Sequence, residues 1–122
     1  MLCVTVSQAH HSISGMYDSS RRVTIEGVIE QFEFVNPHPF VVMEANDSTG
    51  TAQWRLEMDS RGELARIGFS SSTLKLGDRI IVTGSLARRE KLSLYISRLD
   101  RPSDGFGYEQ VGSSPQLRPR SR

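Results

Sequence analysis

Apolar and polar residues alternate along most of this chain, and a two-residue period predicts strands. In residues 21–36, Val23, Ile25 and Ile29 share one phase, with Thr24, Glu26 and Glu30 between them. Beyond Gly27 the phase changes, and Phe32 and Phe34 carry the apolar side against Gln31 and Glu33. A strand that swaps faces at a glycine is expected to be bulged or sharply coiled, as small barrels require. Asn36-Pro37-His38-Pro39 is a loop, because two prolines remove two donors and hold their neighbours out of the helical region. Residues 40–45 are expected to form a second strand, with a continuous apolar run from Phe40 to Met43 that suggests burial on both sides. Asn46-Asp47-Ser48-Thr49-Gly50 is a turn. In residues 51–58, Ala52, Trp54, Leu56 and Met58 alternate with Gln53, Arg55 and Glu57, the clearest strand pattern in the chain.

The period then changes. Ser60 with Glu63 fits a capping box, Leu64 and Ile67 lie on one side of a short helix, and Gly68 can end it. Leu74 to Asp78 is a turn into a fourth strand, where Ile80, Val82 and Leu86 alternate and Gly84 interrupts. Arg88-Arg89-Glu90-Lys91 is a charged hairpin loop, and Leu92, Leu94 and Ile96 mark a fifth strand. From Pro102 onward Gly, Ser, Pro, Gln and Arg dominate, the composition of a disordered tail. Three strands, one short helix and two strands is the order of an all-β, five-stranded, OB-like Greek-key barrel. An open β-sandwich is the competing arrangement. The expected organisation is a leader remnant over residues 1–9, an N-terminal arm over 10–20, the barrel over 21–101 and the tail over 102–122.

Composition narrows the function. At 122 residues, 37% hydrophobic and 24% charged, the chain suits one domain with a modest core. A formal net charge of +1 supplies no field to steer nucleic acid or acidic lipid. No apolar run approaches the roughly 18 residues of a membrane span. Cys3 is the sole cysteine, so no internal disulfide forms. Ser7-Gln8-Ala9 places small residues where a signal peptidase reads them, after a short apolar stretch. The expectation is an exported, periplasmic or secreted protein beginning at His10. A cytoplasmic protein with a ragged N-terminus is the alternative.

Three histidines are the candidate metal ligands. If His10 becomes the first residue, its amine and imidazole form a chelate suited to Cu(II), with His11 or His38 to complete the site. Two solvated imidazoles and a loop histidine bonded to backbone are the plainer reading. In an OB barrel the loops after strands one and four flank the usual ligand face. Asn36, His38, Arg88, Arg89 and Lys91 are therefore the ligand-loop candidates, for an unknown small ligand or a protein partner. Nucleic acid is disfavoured, because the outward phase of strand three is Gln53, Arg55 and Glu57 rather than a row of aromatics. No nucleophile elbow, metal-hydrolase spacing or phosphate loop is present, so the expectation is a non-enzymatic binding or accessory module. A single-stranded nucleic-acid-binding OB domain is the alternative.

Several pieces resemble one family in order. They are Ala9-His10-His11-Ser12, Tyr17-Asp18, Val23-Thr24-Ile25-Glu26-Gly27-Val28, Asn36-Pro37-His38, Trp54 with Glu57, and Leu74-Lys75-Leu76-Gly77-Asp78 with Val82 and Gly84. Together, over about residues 9 to 99, they are similar to a family of small exported bacterial proteins catalogued as a domain of unknown function. The resemblance implies a signal peptide cleaved just before the two histidines. It implies no substrate and no catalytic residue.

Overall fold

In the computed structural model, which describes residues 13–112 and 114–118, strand β1 (Tyr17–Glu33) is long enough to serve two neighbours. Its second half pairs antiparallel with β2 (Phe40–Asp47), from Gly27↔Ala45 to Glu33↔Phe40. Most of its length pairs with β4 (Arg79–Ala87), from Tyr17↔Ala87 to Val28↔Arg79. Strand β3 (Gly50–Glu57) returns along β2, and β5 (Ser93–Arg101) along β4. A parallel pairing of β3 with β5, Arg55↔Ser93 to Glu57↔Tyr95, closes the ring. Five strands closed in this order, with a short helix α1 (Arg61–Arg66) between β3 and β4, make an all-β OB-like barrel.

Inward positions fill it. Val41, Met43, Leu56, Met58, Ile80, Val82, Leu94, Ile96 and Leu99 are completely buried. Helix α1 places Leu64 among them. Ser60 caps the helix, its hydroxyl accepting from the Glu63 amide at 3.3 Å. At the other end Gly68, at φ 105°, allows a Schellman closure: Phe69 N–H donates to Leu64 O and Gly68 N–H to Ala65 O.

The phase break expected at Gly27 is displaced. The extra residue of β1 is Glu30, between the pairs Ile29↔Met43 and Gln31↔Val42. Gly27 serves another purpose, since a Cβ there would overlap the Glu44 carbonyl. Near Gly84 the extra residue is Ser97 of β5, and a Cβ on Gly84 would overlap the Tyr95 carbonyl. Both glycines permit close strand approach, and the bulges beside them bend the wall. Strand β1 also begins earlier than expected, at Tyr17, so residues 17–20 of the presumed arm belong to the sheet.

The larger correction concerns the described part of the expected tail over residues 102–122, which ends at Arg118. Instead of a disordered tail, β6 (Phe106–Val111) and β7 (Ser114–Arg118) form a hairpin that extends the sheet beyond β5, giving seven strands. Phe106 and Tyr108 are buried and meet Phe69 edge-on, at 6.0 and 5.9 Å between ring centres. Phe32 and Phe34 complete the group around Phe69. The turn into β6 is held by Arg101, 8% exposed. Its guanidinium donates to both carboxylate oxygens of Asp104, to Asp78 Oδ2 at 2.9 Å and to Thr73 O at 2.8 Å. Asp100 of β5 likewise takes Arg98 and Arg118, tying the last strand down.

A chain ending at residue 101 tests the role of the hairpin. It loses Phe106 and Tyr108 and strips Arg101 of Asp104. Large aromatic deletions each cost about 3–5 kcal/mol, and the sum rivals a whole domain's stability. The expected outcome is loss of the cooperative thermal transition. An unchanged melting curve would restore the tail reading.

Candidate functional site

A transverse row of residues crosses the outside of the barrel. Arg22 of β1 pairs with Ser85 of β4, Ser85 with Tyr95 of β5, and Tyr95 with Glu57 of β3. Paired residues project to the same side of a sheet, and on β5 the inward phase is held by the buried Leu94 and Ile96. Tyr95 therefore faces outward, yet it is not simply solvated. The start of β1 lays Tyr17 over it, with ring centres 5.7 Å apart. The Tyr17 hydroxyl donates to Glu57 Oε1 at 2.5 Å, and Arg55 lies 3.5 Å from the same oxygen. Glu57, outward by its strand phase, is only 8% exposed for this reason.

Above the row a bulge forms one rim. Three residues, 19–21, fall between the pairs Asp18↔Leu86 and Arg22↔Ser85. Asp18 Oδ1 closes this bulge by accepting from the Ser20 amide and hydroxyl, at 3.0 and 2.6 Å. Those bonds hold its carboxyl below the usual carboxylate range. Arg88 donates to Ser14 O at 3.1 Å and approaches Asp18, fixing the segment before β1 against the end of β4. Facing this rim are the loop before β2 and the start of α1. His38 Nδ1 lies 2.8 Å from Met58 O. A carbonyl only accepts, so Nδ1 is the donor, and in the neutral ring Nε2 carries the lone pair. Asp59 accepts from the Ser60 amide and from Gln110 Nε2, which also donates to Tyr108 OH. Gln110 thus draws the β6–β7 hairpin over the site.

The result is a cleft of about 570 Å³, within the size range of small-molecule sites. Arg22, Arg88, Ser85, Tyr95, His38 and Asp59 are among its walls. Of the residues singled out from sequence, His38 and Arg88 meet here. Asn36, Arg89 and Lys91 are exposed and line no part of it. His10 and His11 lie outside the described residues, although Ile13 and Ser14, which follow them, line the cleft. Among the described residues no three His, Cys, Asp or Glu side chains gather as a metal site would need. Arg22, Tyr95 and Gln110 were not singled out, because the row exists only once the strands are paired.

The outer β2–β3 surface, where single-strand binders place aromatics, carries Val42, Glu44, Gln53 and Arg55. Its one ring, Phe40, lies under the Arg55 guanidinium at 4.3 Å. Among the described residues no helix is long and apolar enough to cross a membrane.

The profile of a family of unknown function (DUF6152) matches residues 1–93. The chain belongs to that family. The match takes in the N-terminal segment, the barrel up to the first residue of β5, His38, and both rims of the cleft. It stops short of β6 and β7, so the hairpin roof lies beyond the matched region. No curated protein matches the sequence. Among solved structures, the crystal structure of yeast Stn1 and Ten1 is similar at 14% identity and a TM-score of 0.42. That match covers 65% of this chain, which spans 41% of the matched chain.

In this family member burial pushes all three tyrosine phenols above their ordinary range. The Glu57 carboxylate adds to the effect at Tyr17, and the Asp59 charge adds to it at Tyr95 and Tyr108. An unfolded chain releases phenolic protons near pH 10. Stability from these groups is therefore complete below about pH 10 and falls as pH rises above it. Tyrosinate absorbance should appear in one step, together with alkaline unfolding. Tyr17→Phe should destabilise by about 1–3 kcal/mol, because buried Glu57 loses its short bond and keeps only the longer contact with Arg55. Tyr95→Phe, whose hydroxyl bonds no described protein group, should cost under about 1 kcal/mol. Phenol titration near pH 10 in the still-folded protein would contradict this arrangement.

Proposed function

We propose that this protein is a non-enzymatic binding module, exported from the cell, that holds a small polar ligand in the cleft beneath the β6–β7 hairpin. One observation carries the reading: polar groups with no partner among the described residues converge on a single concavity. Tyr95 OH, His38 Nε2 and the Arg22 guanidinium have no hydrogen bond or ion pair among the described residues, and all three residues line it. Polar groups converging on one concavity of this size, beside the rings of Tyr17 and Tyr95, suit a small polar ligand. The acids nearby are committed elsewhere, Glu57 to Tyr17, Asp59 to Ser60 and Gln110, and Glu63 to Arg66. His38 is tied to a carbonyl rather than to a serine or a carboxylate. These engagements support binding over acid–base or nucleophilic chemistry. The polar β2–β3 surface supports the exclusion of nucleic acid.

Amide NMR spectra recorded against a panel of small polar metabolites test this reading. Saturable shifts should cluster at Arg22, His38, Ser85 and Tyr95. Shifts confined to Val42, Glu44, Gln53 and Arg55 on adding oligothymidylate would favour the single-strand-binding alternative instead.

A second reading, a Cu(II) site in the same cleft, is favoured by the placement of Ile13 and Ser14 on the wall that His38 shares. A histidine whose Nδ1–H is held by a carbonyl, with Nε2 unpaired, has the orientation metal-ligating imidazoles usually show. Export after Ser7-Gln8-Ala9 would leave His10 with a free amine, able to chelate through amine and imidazole. N-terminal sequencing of the native protein should return His10. A chain beginning there should bind Cu(II) at least about tenfold more tightly than one beginning at Met1, and His38→Ala should remove about another tenfold. Equal affinity in all three proteins would exclude the site.

A further inference from the structure

From the distribution of charge in the cleft we infer that its ligand is dipolar: a small molecule with a carboxylate at one end and an ammonium at the other. This rests on the reading of the cleft as a ligand site. The wall is not uniform. One end is built by β1 and β4 and presents Arg22 and Arg88. Arg22 has no partner among the described residues, and Arg88 reaches Ser14 and Asp18 through Nε and Nη1. Two guanidiniums with spare donors suit a carboxylate, which accepts from planar N–H pairs. The other end is built by the loop before β2 and the start of α1, and presents His38 Nε2 and the Asp59 carboxylate, whose oxygens each accept one bond and keep further lone pairs, whereas Glu63 is taken up by Arg66. Lone pairs and a carboxylate suit a cationic donor and repel an anion.

Between the ends stand Ser85 and Tyr95. The Tyr95 phenol is protonated at neutral pH, as any phenol is, and can donate. The ring faces of Tyr17 and Tyr95 give the middle of the cleft an apolar surface. From Arg22 to Glu57 the row crosses three strand spacings, about 14 Å. The cleft, of about 570 Å³, is of a size for a small molecule, so short probes suit it. A dianion would meet Asp59 at its far end, and a diamine would meet Arg22 and Arg88.

Calorimetric titration with three probes of similar length decides the matter: 4-aminobutyrate, succinate and putrescine. 4-Aminobutyrate should bind at least tenfold more tightly than either of the others. Arg22→Gln, at an exposed and unpaired position, should reduce its affinity about tenfold. His38→Asn keeps a donor for the Met58 carbonyl while removing Nε2, and should reduce it similarly. Equal or tighter binding of succinate or putrescine overturns the assignment. So does an affinity for 4-aminobutyrate that neither variant changes, or no binding of any probe. If putrescine or an uncharged sugar binds and moves the Tyr95 and His38 resonances, the dipolar assignment fails while the cleft remains the ligand site. If no polar molecule moves them, the cleft reading fails as well.

Discussion

Closing five strands into a ring of small radius forces the sheet to bend, and the short parallel contact between β3 and β5 is where the ring shuts. The pairs Arg55↔Ser93 to Glu57↔Tyr95, with Arg55 N–H donating to Leu92 O, are available only if β1 and β4 curl enough to bring the two strands together. Particular residues supply that curl. Glycines stand where a Cβ would strike a neighbouring carbonyl, at Gly27 and Gly84, and single extra residues at Glu30 and Ser97 increase the local twist. Closure also decides what lies outside. Once β3 and β5 are parallel neighbours, Glu57 and Tyr95 stand side by side on the outer wall, and the row from Arg22 to Glu57 exists.

An outer wall alone would be a solvated surface. It becomes a cleft because two appendages are anchored above it. The first is the N-terminal end of β1, held by the Tyr17–Glu57 bond and by Arg88 reaching Ser14. The second is the β6–β7 hairpin, and its anchor lies at the Arg101 guanidinium. One buried arginine there joins the turn after β5 to the loop before β4 through Asp104, Asp78 and Thr73. Such an ion pair is costly to desolvate and more costly to break, so its energy goes into fixing a direction for the chain. From that fixed turn β6 runs with Phe106 and Tyr108 buried and delivers Gln110 to Asp59.

The barrel was legible because its signals are local. Trp54, Leu56 and Met58 alternate in sequence and face the core, and Ser60 with Glu63 starts a helix where the capping rule places one. The hairpin was hidden by composition. Gly, Ser and Pro around it suggest a tail, yet Pro102-Ser103-Asp104-Gly105 is a turn sequence followed by Phe106 and Tyr108 at strand spacing. Weighting that alternation above overall composition would have found β6. The cleft was less accessible still. His38 and Arg88 were singled out by loop position. Arg22, Tyr95 and Gln110 are ordinary strand residues whose meeting depends on register, and no local pattern encodes a pairing of residues so far apart in the chain.

The same register explains why the candidate site departs from the face an OB barrel commonly uses. On the outer β2–β3 surface the partners are already matched. Gln53 donates to Glu30, and Arg55 covers Phe40. Little there is left to gain by binding. On the β1–β4–β5 wall three polar groups, the exposed Arg22 among them, have no partner among the described residues. A ligand can bond to such groups without displacing a protein partner. His38 shows the arrangement in one residue. Its Nδ1 proton is given to Met58 O, and that bond orients the ring and, in its neutral form, leaves the lone pair on Nε2. The loop histidine is therefore anchored to the barrel and presented to the cleft at once. The backbone bond that sequence reasoning set against a binding role is what holds the imidazole in a geometry able to bind.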